Sequence, residues 1–444
     1  MLVAGPYARL VRIERKPMST CRRSAAIRAL SVLVLVVLAA TATAQDPVYR
    51  EKNQYPVLEE IEAAREARQA ERQALVDAAD ERAAELAERE KDQARALRLD
   101  WSGIDVPDGP GAFDAAWHNP PVPQYYTGSC WAFCSISYLE SEIARLHDRE
   151  IKLSEMWIVY WEYVEKARRF LREYGHSVVA EGSQDHGTLE VCRLYGVVPA
   201  EAYRGVLTED GRFDHTPMMA ELRGYLAWVK ESGTWDEERN LAYVRSILDA
   251  HMGPPPTEFE YRGRRYTPRS FFDQVCALDL DAYVSIVSRL DEPFGEYVLL
   301  DVRDNWRRKD DYLNLPLETW TRVLRGALGA GHTVALGGDN SEVGMDGLHD
   351  AAVIPSWDIP AAHIDQAARE LRIYNGQTTD DHGVHAVALE EHGGREWLLI
   401  KDSNRSSRLG EHEGYYMWDI DYVRLKMLAI LVHEDHLEGL LPDG

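Results

Sequence analysis

The segment Gln124-Tyr-Tyr-Thr-Gly-Ser-Cys130-Trp131-Ala-Phe133 places a cysteine where loop-forming residues give way to a helical pattern. At a helix N-terminus the unpaired backbone N–H groups and the helix dipole favour the thiolate over the thiol, whose ordinary pKa is about 8.5. The thiolate is the nucleophilic form, so Cys130 is the candidate nucleophile. It needs a base to carry the proton of a leaving group. The run Thr378-Thr-Asp-Asp-His382-Gly-Val-His385-Ala-Val-Ala-Leu389, about 250 positions later, offers two. On a regular strand residues three apart point to opposite faces, so His382 and His385 cannot both meet Cys130.

The same histidines raise the question of a metal. His382-x-x-His385 with Asp380 and Asp381, or His433-Glu-Asp-His436, gathers ligand types. Helical zinc motifs set two histidines four apart with a glutamate between, and the first pair lies on an expected strand. No metal ligand and no organic cofactor is expected. His433 and His436 read as solvated tail residues among Glu434, Asp435 and Glu438.

These residues must be positioned by a core that starts after the Pro-, Gly- and Asp-rich stretch 105–123. A helix is predicted from Ser129, carrying Trp131, Phe133, Ile136 and Leu139, and an amphipathic one from Ser154 to about Tyr174, with Ser154 as cap and Trp157 three positions on. Between about Tyr203 and Val323 helical stretches alternate with loops such as Gly253-Pro-Pro-Pro256, which reads as an insertion. The last hundred residues give short β-rich runs at 332–336, 384–389, 397–401, 414–418 and 427–432, separated by turns. Helices followed by strands imply α+β layers rather than an alternating parallel sheet.

The Cys130 segment resembles that of papain-like cysteine peptidases, in which the active-site cysteine opens a helix, precedes a tryptophan and follows a glutamine by six residues. The resemblance implies that the Gln124 side-chain amide and the Cys130 N–H form an oxyanion hole. It also selects His382, the residue that opens a strand of small and branched apolar residues, with His385 as the fallback. Lys401-Asp402-Ser403 falls where the family has Lys-Asn-Ser-Trp, so Asp402 takes the place of the orienting asparagine and Asn404 that of the tryptophan. A carboxylate can hold an imidazole by its Nδ1–H, as in triads with Asp, and a shifted pH profile should follow. Thr127 stands where many such enzymes have a bridging cysteine, so that disulfide should be absent.

The long separation of nucleophile and base resembles the bleomycin hydrolase and aminopeptidase C branch, as do Leu153-Ser-Glu-Met156, Tyr195-Gly-Val-Val-Pro199 and Tyr312-Leu-Asn-Leu-Pro316. The likeness runs from about Pro121 to His433. It implies a two-lobed papain-like fold, a helical lobe plus a β-rich lobe, with a large helical insertion at about 203–323 inside a domain spanning 105–444. The implied activity is peptide hydrolysis through Cys130, His382, Asp402 and Gln124, as aminopeptidase or oligopeptide endopeptidase. In that branch a C-terminal arm limits cleavage to the amino end; the segment after Val432 reads as shorter than that arm. Members also form hexameric rings, so a homo-oligomer is an open expectation. The departures at Asp402 and Asn404 motivate one alternative, a non-catalytic papain fold kept for binding or assembly.

Composition bounds the rest. The chain has 444 residues, 45% of them hydrophobic, and a formal net charge of −24, which excludes a general nucleic-acid binder because phosphate contact needs a basic face. Arg22, Arg23 and Arg28 precede an apolar stretch from Ala29 to Ala40, and Ala42-Thr-Ala44 is the small-residue pattern of a cleavage site. Residues 1–44 therefore read as a signal peptide, with Met18 as a possible start and Gln45 as the mature N-terminus. The apolar run is too short for a spanning helix. The expected location is periplasmic or secreted. Cys21 leaves with the signal, and Cys130, Cys134, Cys192 and Cys276 read as buried or reactive thiols rather than a disulfide framework. A reductant would protect an exported reactive thiol. Residues 45–104, rich in Ala, Glu and Arg, form a charged helical arm or propeptide with a helix expected from Glu59 to about Leu99.

Overall fold

The computed structural model describes residues 47–52, 55–208 and 210–437. The signal segment, with Met18 and Cys21, and the segment 438–444 lie outside the described residues. The chain divides into two units, 1–95 and 96–444. In the first, one helix of 38 residues spans Pro56–Gln93 and buries none of them. Pro56 opens it at a position where the missing N–H costs nothing. The helix stops short of the expected Leu99. From Ala96 the chain belongs to the second unit, where Trp101 is buried against Phe113 and Trp397 with Leu99 alongside. Apolar burial there outweighs helix propensity. Among the described residues no helix is long and apolar enough to cross a membrane.

In the second unit the helices Cys130–His147, Glu155–Arg172, Asp185–Tyr195, Thr216–Ser232 and Glu237–Met252 share one core, with Ile136, Tyr160, Leu222 and Leu248 fully buried. Ser154 caps the second of these by accepting the Trp157 N–H at 3.0 Å. This is the expected cap.

Two short strands, β1 (Phe259–Tyr261) and β2 (Arg264–Tyr266), form a hairpin. The remaining strands are β3 (Tyr283–Val287), β4 (Tyr297–Val298), β5 (Tyr312–Asn314), β6 (Val334–Gly338), β7 (Met345–Asp346), β8 (Ala351–Ala352), β9 (His382–His392), β10 (Arg395–Lys401), β11 (Tyr415–Asp419) and β12 (Met427–His433). They build one ten-stranded sheet in the order β4-β5-β3-β12-β6-β9-β10-β11-β8-β7. Its pairs are antiparallel except β3 with β5 and β8 with β11. One face packs on the helix Leu317–Gly329 through Trp320, Leu324, Val384, Ala386, Leu398 and Ile400. The helix Cys130–His147 lies against β9 and β6 on the other.

The α+β reading holds, and the five expected C-terminal strands are β6 and β9 to β12 with ends shifted by a few residues. The segment 203–323 needs correction as helices and loops: it also supplies β1 to β5, three of them in the main sheet. Tyr283-Val-Ser-Ile-Val287 is a short apolar run, and periodicity alone does not separate a doubly covered strand from a buried helix.

Gly338 pairs with His382 across β6 and β9. A Cβ on it would lie 2.5 Å from the Lys426 carbonyl oxygen and 2.6 Å from Met427 Cα, both backbone atoms. Gly338→Ala is expected to destabilise the fold by about 1–3 kcal/mol through overpacking. Thermal melting checks this, and an unchanged Tm would show that β12 yields freely.

Candidate active site

Cys130 is the first residue of its helix and is partly exposed. Ser129 precedes it as N-cap without a side-chain hydrogen bond; its carbonyl accepts the Ala132 N–H at 2.9 Å, and no cap side chain takes up the Cys130 or Trp131 N–H. The loop before it is braced by hydrogen bonds rather than a disulfide. The Thr127 hydroxyl donates to the Gln124 carbonyl at 2.9 Å and lies 2.5 Å from Ser129 Oγ, and the Gly128 N–H donates to Glu181 at 2.8 Å.

His382 opens β9 and Asp402 follows β10, two strands paired antiparallel, so both side chains emerge at the same end of the hairpin. His382 Nε2 lies 2.7 Å from Asp402 Oδ1. The same carboxylate oxygen accepts the Asn404 N–H at 3.0 Å, so Asp402 also shapes the turn that follows. The expected Nδ1 contact needs correction. The carboxylate takes Nε2 because the strand end presents the far side of the ring to the turn, and Nδ1 is left for Cys130. Burial would lower the His382 pKa, but the charges of Asp402 and Cys130 and hydrogen bonds to both outweigh it, so the ring is held protonated well above its ordinary range.

Gln124 sits beside this group rather than inside it. Its N–H donates to the Ser403 carbonyl at 2.9 Å, its side-chain oxygen accepts the Ser403 hydroxyl at 2.7 Å, and one amide N–H goes to the Thr127 carbonyl at 2.7 Å. One amide hydrogen remains for an oxyanion. Gln124 borders a cavity with Tyr125, Tyr126 and Arg405, separate from the pocket lined by Cys130 and His382.

His385 is fully buried. Its Nδ1 meets Ser137 Oγ at 2.8 Å, and burial followed by the Lys401 charge drives its pKa well below the ordinary value. It does not reach Cys130. With His382 committed to Asp402, the two histidines do not converge on a common point. His436 is no free tail residue either, since its ring packs on His332 with centroids 4.4 Å apart. Cys134, one turn into the helix Cys130–His147, donates to the Val384 carbonyl at 2.9 Å, and burial pushes its thiol pKa well up. Among the described residues Cys130, Cys134, Cys192 and Cys276 are all free, and the last three are buried.

Sequence reasoning missed two residues that line the cleft with Cys130, Asp185 and Asp304, and weighed Asp380 and Asp381 only as metal ligands. Asp185 and Asp304 come from separate segments, and nothing local marks them. It also missed Gly383, where a Cβ would lie 3.3 Å from Trp131 Cα and 3.4 Å from Cys134 Cβ, so glycine lets β9 approach the helix Cys130–His147.

Residues 112–440 match the Peptidase C1-like family. The chain belongs to that family. It is 22% identical to aminopeptidase G of Lactobacillus delbrueckii subsp. lactis over 71% of this chain and 80% of that protein. It is 21% identical to aminopeptidase C of Lactococcus lactis subsp. cremoris over 72% and 81%. Among solved structures, pepw from Lactobacillus rhamnosis superposes with a TM-score of 0.61 at 17% identity, covering 88% of this chain and 94% of that one. This Peptidase C1-like protein is a papain-like cysteine peptidase of the aminopeptidase C and bleomycin hydrolase kind. The alternative of a non-catalytic fold is set aside.

The Asp402 charge raises the His382 pKa, so Asp402→Asn should lower it. If the protonated ring is the working form, the alkaline limb of the peptidase pH profile moves to lower pH, by about one unit or more. A pH–kcat/KM profile of both forms checks this, and an unmoved alkaline limb would show that the carboxylate charge does not govern the ring.

Proposed function

We propose that this protein is an exported aminopeptidase that cleaves peptides through a Cys130 thiolate paired with the His382 imidazolium. The observation that carries the reading is His382 held between buried Asp402 and Cys130 at a helix N-terminus. Cys130 Sγ attacks the scissile carbonyl carbon, and the carbonyl electron pair moves to oxygen. That oxyanion is received by the Cys130 N–H and the remaining Gln124 amide hydrogen. His382 gives its Nδ1 proton to the leaving amine as the C–N bond breaks, leaving a thioester. The neutral ring then takes a proton from water, whose oxygen attacks the thioester and frees the acid and the thiolate. Asp402 stays ionised throughout and keeps Nδ1 aimed at sulfur.

Aminopeptidase action is supported by the printed names of aminopeptidases G and C. Export is supported by the basic, apolar and small-residue pattern before Gln45. Peptide is the proposed substrate, nucleic acid is not a proposed partner, and a homo-oligomer is compatible with the reading.

In protein recovered from the exported fraction, intact mass should correspond to a chain starting at Gln45, and a thiol-directed epoxide should add once, at Cys130. Buried Cys134 is the internal control. Cys130→Ala should lose the adduct, and both Cys130→Ala and His382→Ala should lower aminoacyl-amide hydrolysis by about 10³-fold or more. Labelling that ignores Cys130, or full activity in Cys130→Ala, would refute the mechanism.

A further inference from the structure

Gln124 begins the loop that runs to Cys130, and the crest of that loop is not held by burial. Tyr125 and Tyr126 are 46% and 73% exposed, so their side chains add little that would fix it. Tyr125 also has a φ of +50°, in the left-handed region that is unfavourable for a residue with a Cβ. A bulky residue stays there only where its surroundings over-determine the backbone.

The surroundings are two posts, one on either side of Tyr125. On one side the Gln124 N–H donates to the Ser403 carbonyl at 2.9 Å and the Gln124 side-chain oxygen accepts the Ser403 hydroxyl at 2.7 Å, which ties the loop to the turn after Asp402. On the other side the Tyr126 N–H donates to the Phe213 carbonyl at 3.2 Å and the Tyr126 carbonyl accepts the His215 N–H at 3.0 Å, a parallel bridge centred on Asp214. Both backbone polar groups of Tyr126 are therefore engaged by one short segment, 213–215.

That segment belongs to the insertion and lies just before the helix Thr216–Ser232. Its footing is firm. His215 is buried with Nδ1 3.3 Å from the Tyr163 hydroxyl, and Met218 and Met219 behind it are part of the helical core. The partly buried Phe213 ring meets Phe133 edge-on with centroids 6.0 Å apart, and Tyr125 at 6.4 Å. Phe133 is in the first turn of the helix that Cys130 opens. Phe213 thus touches both ends of the loop, the residue after Gln124 and the turn that carries the Cys130 N–H.

The spacing of those two ends matters for the chemistry. One Gln124 amide hydrogen goes to the Thr127 carbonyl at 2.7 Å within the same loop, so the direction of the other follows the loop backbone. The Cys130 N–H follows its helix. An oxyanion gains from both donors only where they converge, and a displacement of about 1 Å can cost about 10²-fold in rate. Without the second post, Tyr125 would relax out of the left-handed region and carry Gln124 with it.

We propose that the insertion clamps the oxyanion loop through Phe213 and the 213–215 backbone, which makes Phe213 a positioning residue that acts through Gln124; the inference rests on the peptidase reading of Cys130.

The test uses the full chain as wild type, Phe213→Ala, Gln124→Ala and the double variant, with Phe213→Leu to make the same comparison should the alanine variant fail to fold by thermal melting. Hydrolysis is followed on whichever of the leucyl and N-acetyl-leucyl-leucyl fluorogenic amides the wild type cleaves faster. Leucinal inhibition reports an adduct whose oxygen occupies the oxyanion position. Reaction of Cys130 with 2,2′-dipyridyl disulfide reports the thiolate alone, since that reagent has no carbonyl. Phe213→Ala should lower hydrolysis and leucinal affinity about tenfold or more, with kcat rather than KM carrying the loss, and leave the disulfide reaction within about twofold of wild type. In the Gln124→Ala background the same substitution should change hydrolysis by less than about twofold, because nothing is left for Phe213 to position. Equal losses in both backgrounds, unaltered hydrolysis in Phe213→Ala, or a disulfide rate that falls as far as hydrolysis would overturn the clamp and leave the peptidase reading intact. Wild-type protein that cleaves neither amide would overturn the peptidase reading and the clamp with it.

Discussion

A carboxylate and an imidazole buried in contact at the end of a hairpin set the terms for the rest of this molecule. Asp402 is 2% exposed and His382 7%. Removing an ion from water costs several kcal/mol unless a partner charge and hydrogen bonds replace the solvent. Asp402 Oδ2 has no partner among the described residues, so the load falls on Oδ1, which serves His382 and the Asn404 N–H together. The Asp402 charge first, and then that of Cys130 on the other side, outweigh the burial that would otherwise strip the ring of its proton. The β9–β10 pairing, the Ser403 contacts to Gln124 and the close approach at Gly383 all hold this short chain of charges in line.

Helix and strand geometry explain why two histidines so close in sequence have different fates. Three residues along a strand span about 10 Å. Seven residues along a helix span about 10.5 Å. β9 therefore runs alongside the helix Cys130–His147 nearly in step, with His382 beside Cys130 and His385 beside Ser137. Lys401, paired with His385 in register, donates to the same Ser137 hydroxyl at 2.7 Å, and burial first lowers its pKa to about 8. Both basic groups lie in the packed interface, where burial favours their neutral forms, whereas His382 at the strand mouth has counter-charges that keep it ionised.

The parts legible in the sequence were those whose physics is local. A cysteine after Thr-Gly-Ser at a helix start, a serine cap at Ser154, and short β-rich runs bounded by turns such as Gly393-Gly394 each carry their signal within a few residues. The acidic lining of the Cys130 pocket was not legible as such, because Asp185 and Asp304 come from separate segments that meet only through tertiary packing. β3 and β5 were hidden because a strand covered on both faces shows no alternation, and β4 because two residues are too few to show any. The ring nitrogen that meets Asp402 was misjudged because it depends on the direction from which the turn after β10 approaches the imidazole, and spacing does not encode that direction. Gly383 had no signal beyond being a glycine, since its role is set by a helix about 250 positions away in sequence.

The most direct test is the protonation state of the His382 ring, followed by ¹⁵N NMR of imidazole-labelled protein across pH. An ordinary histidine loses its second proton near pH 6.5. One ring signal, assigned to His382 by its loss in His382→Ala, should stay doubly protonated to well above that pH and titrate lower in Asp402→Ala. A His382 ring that is neutral near pH 7 in the wild type would contradict the account, because the buried carboxylate would then lack the charge that holds it.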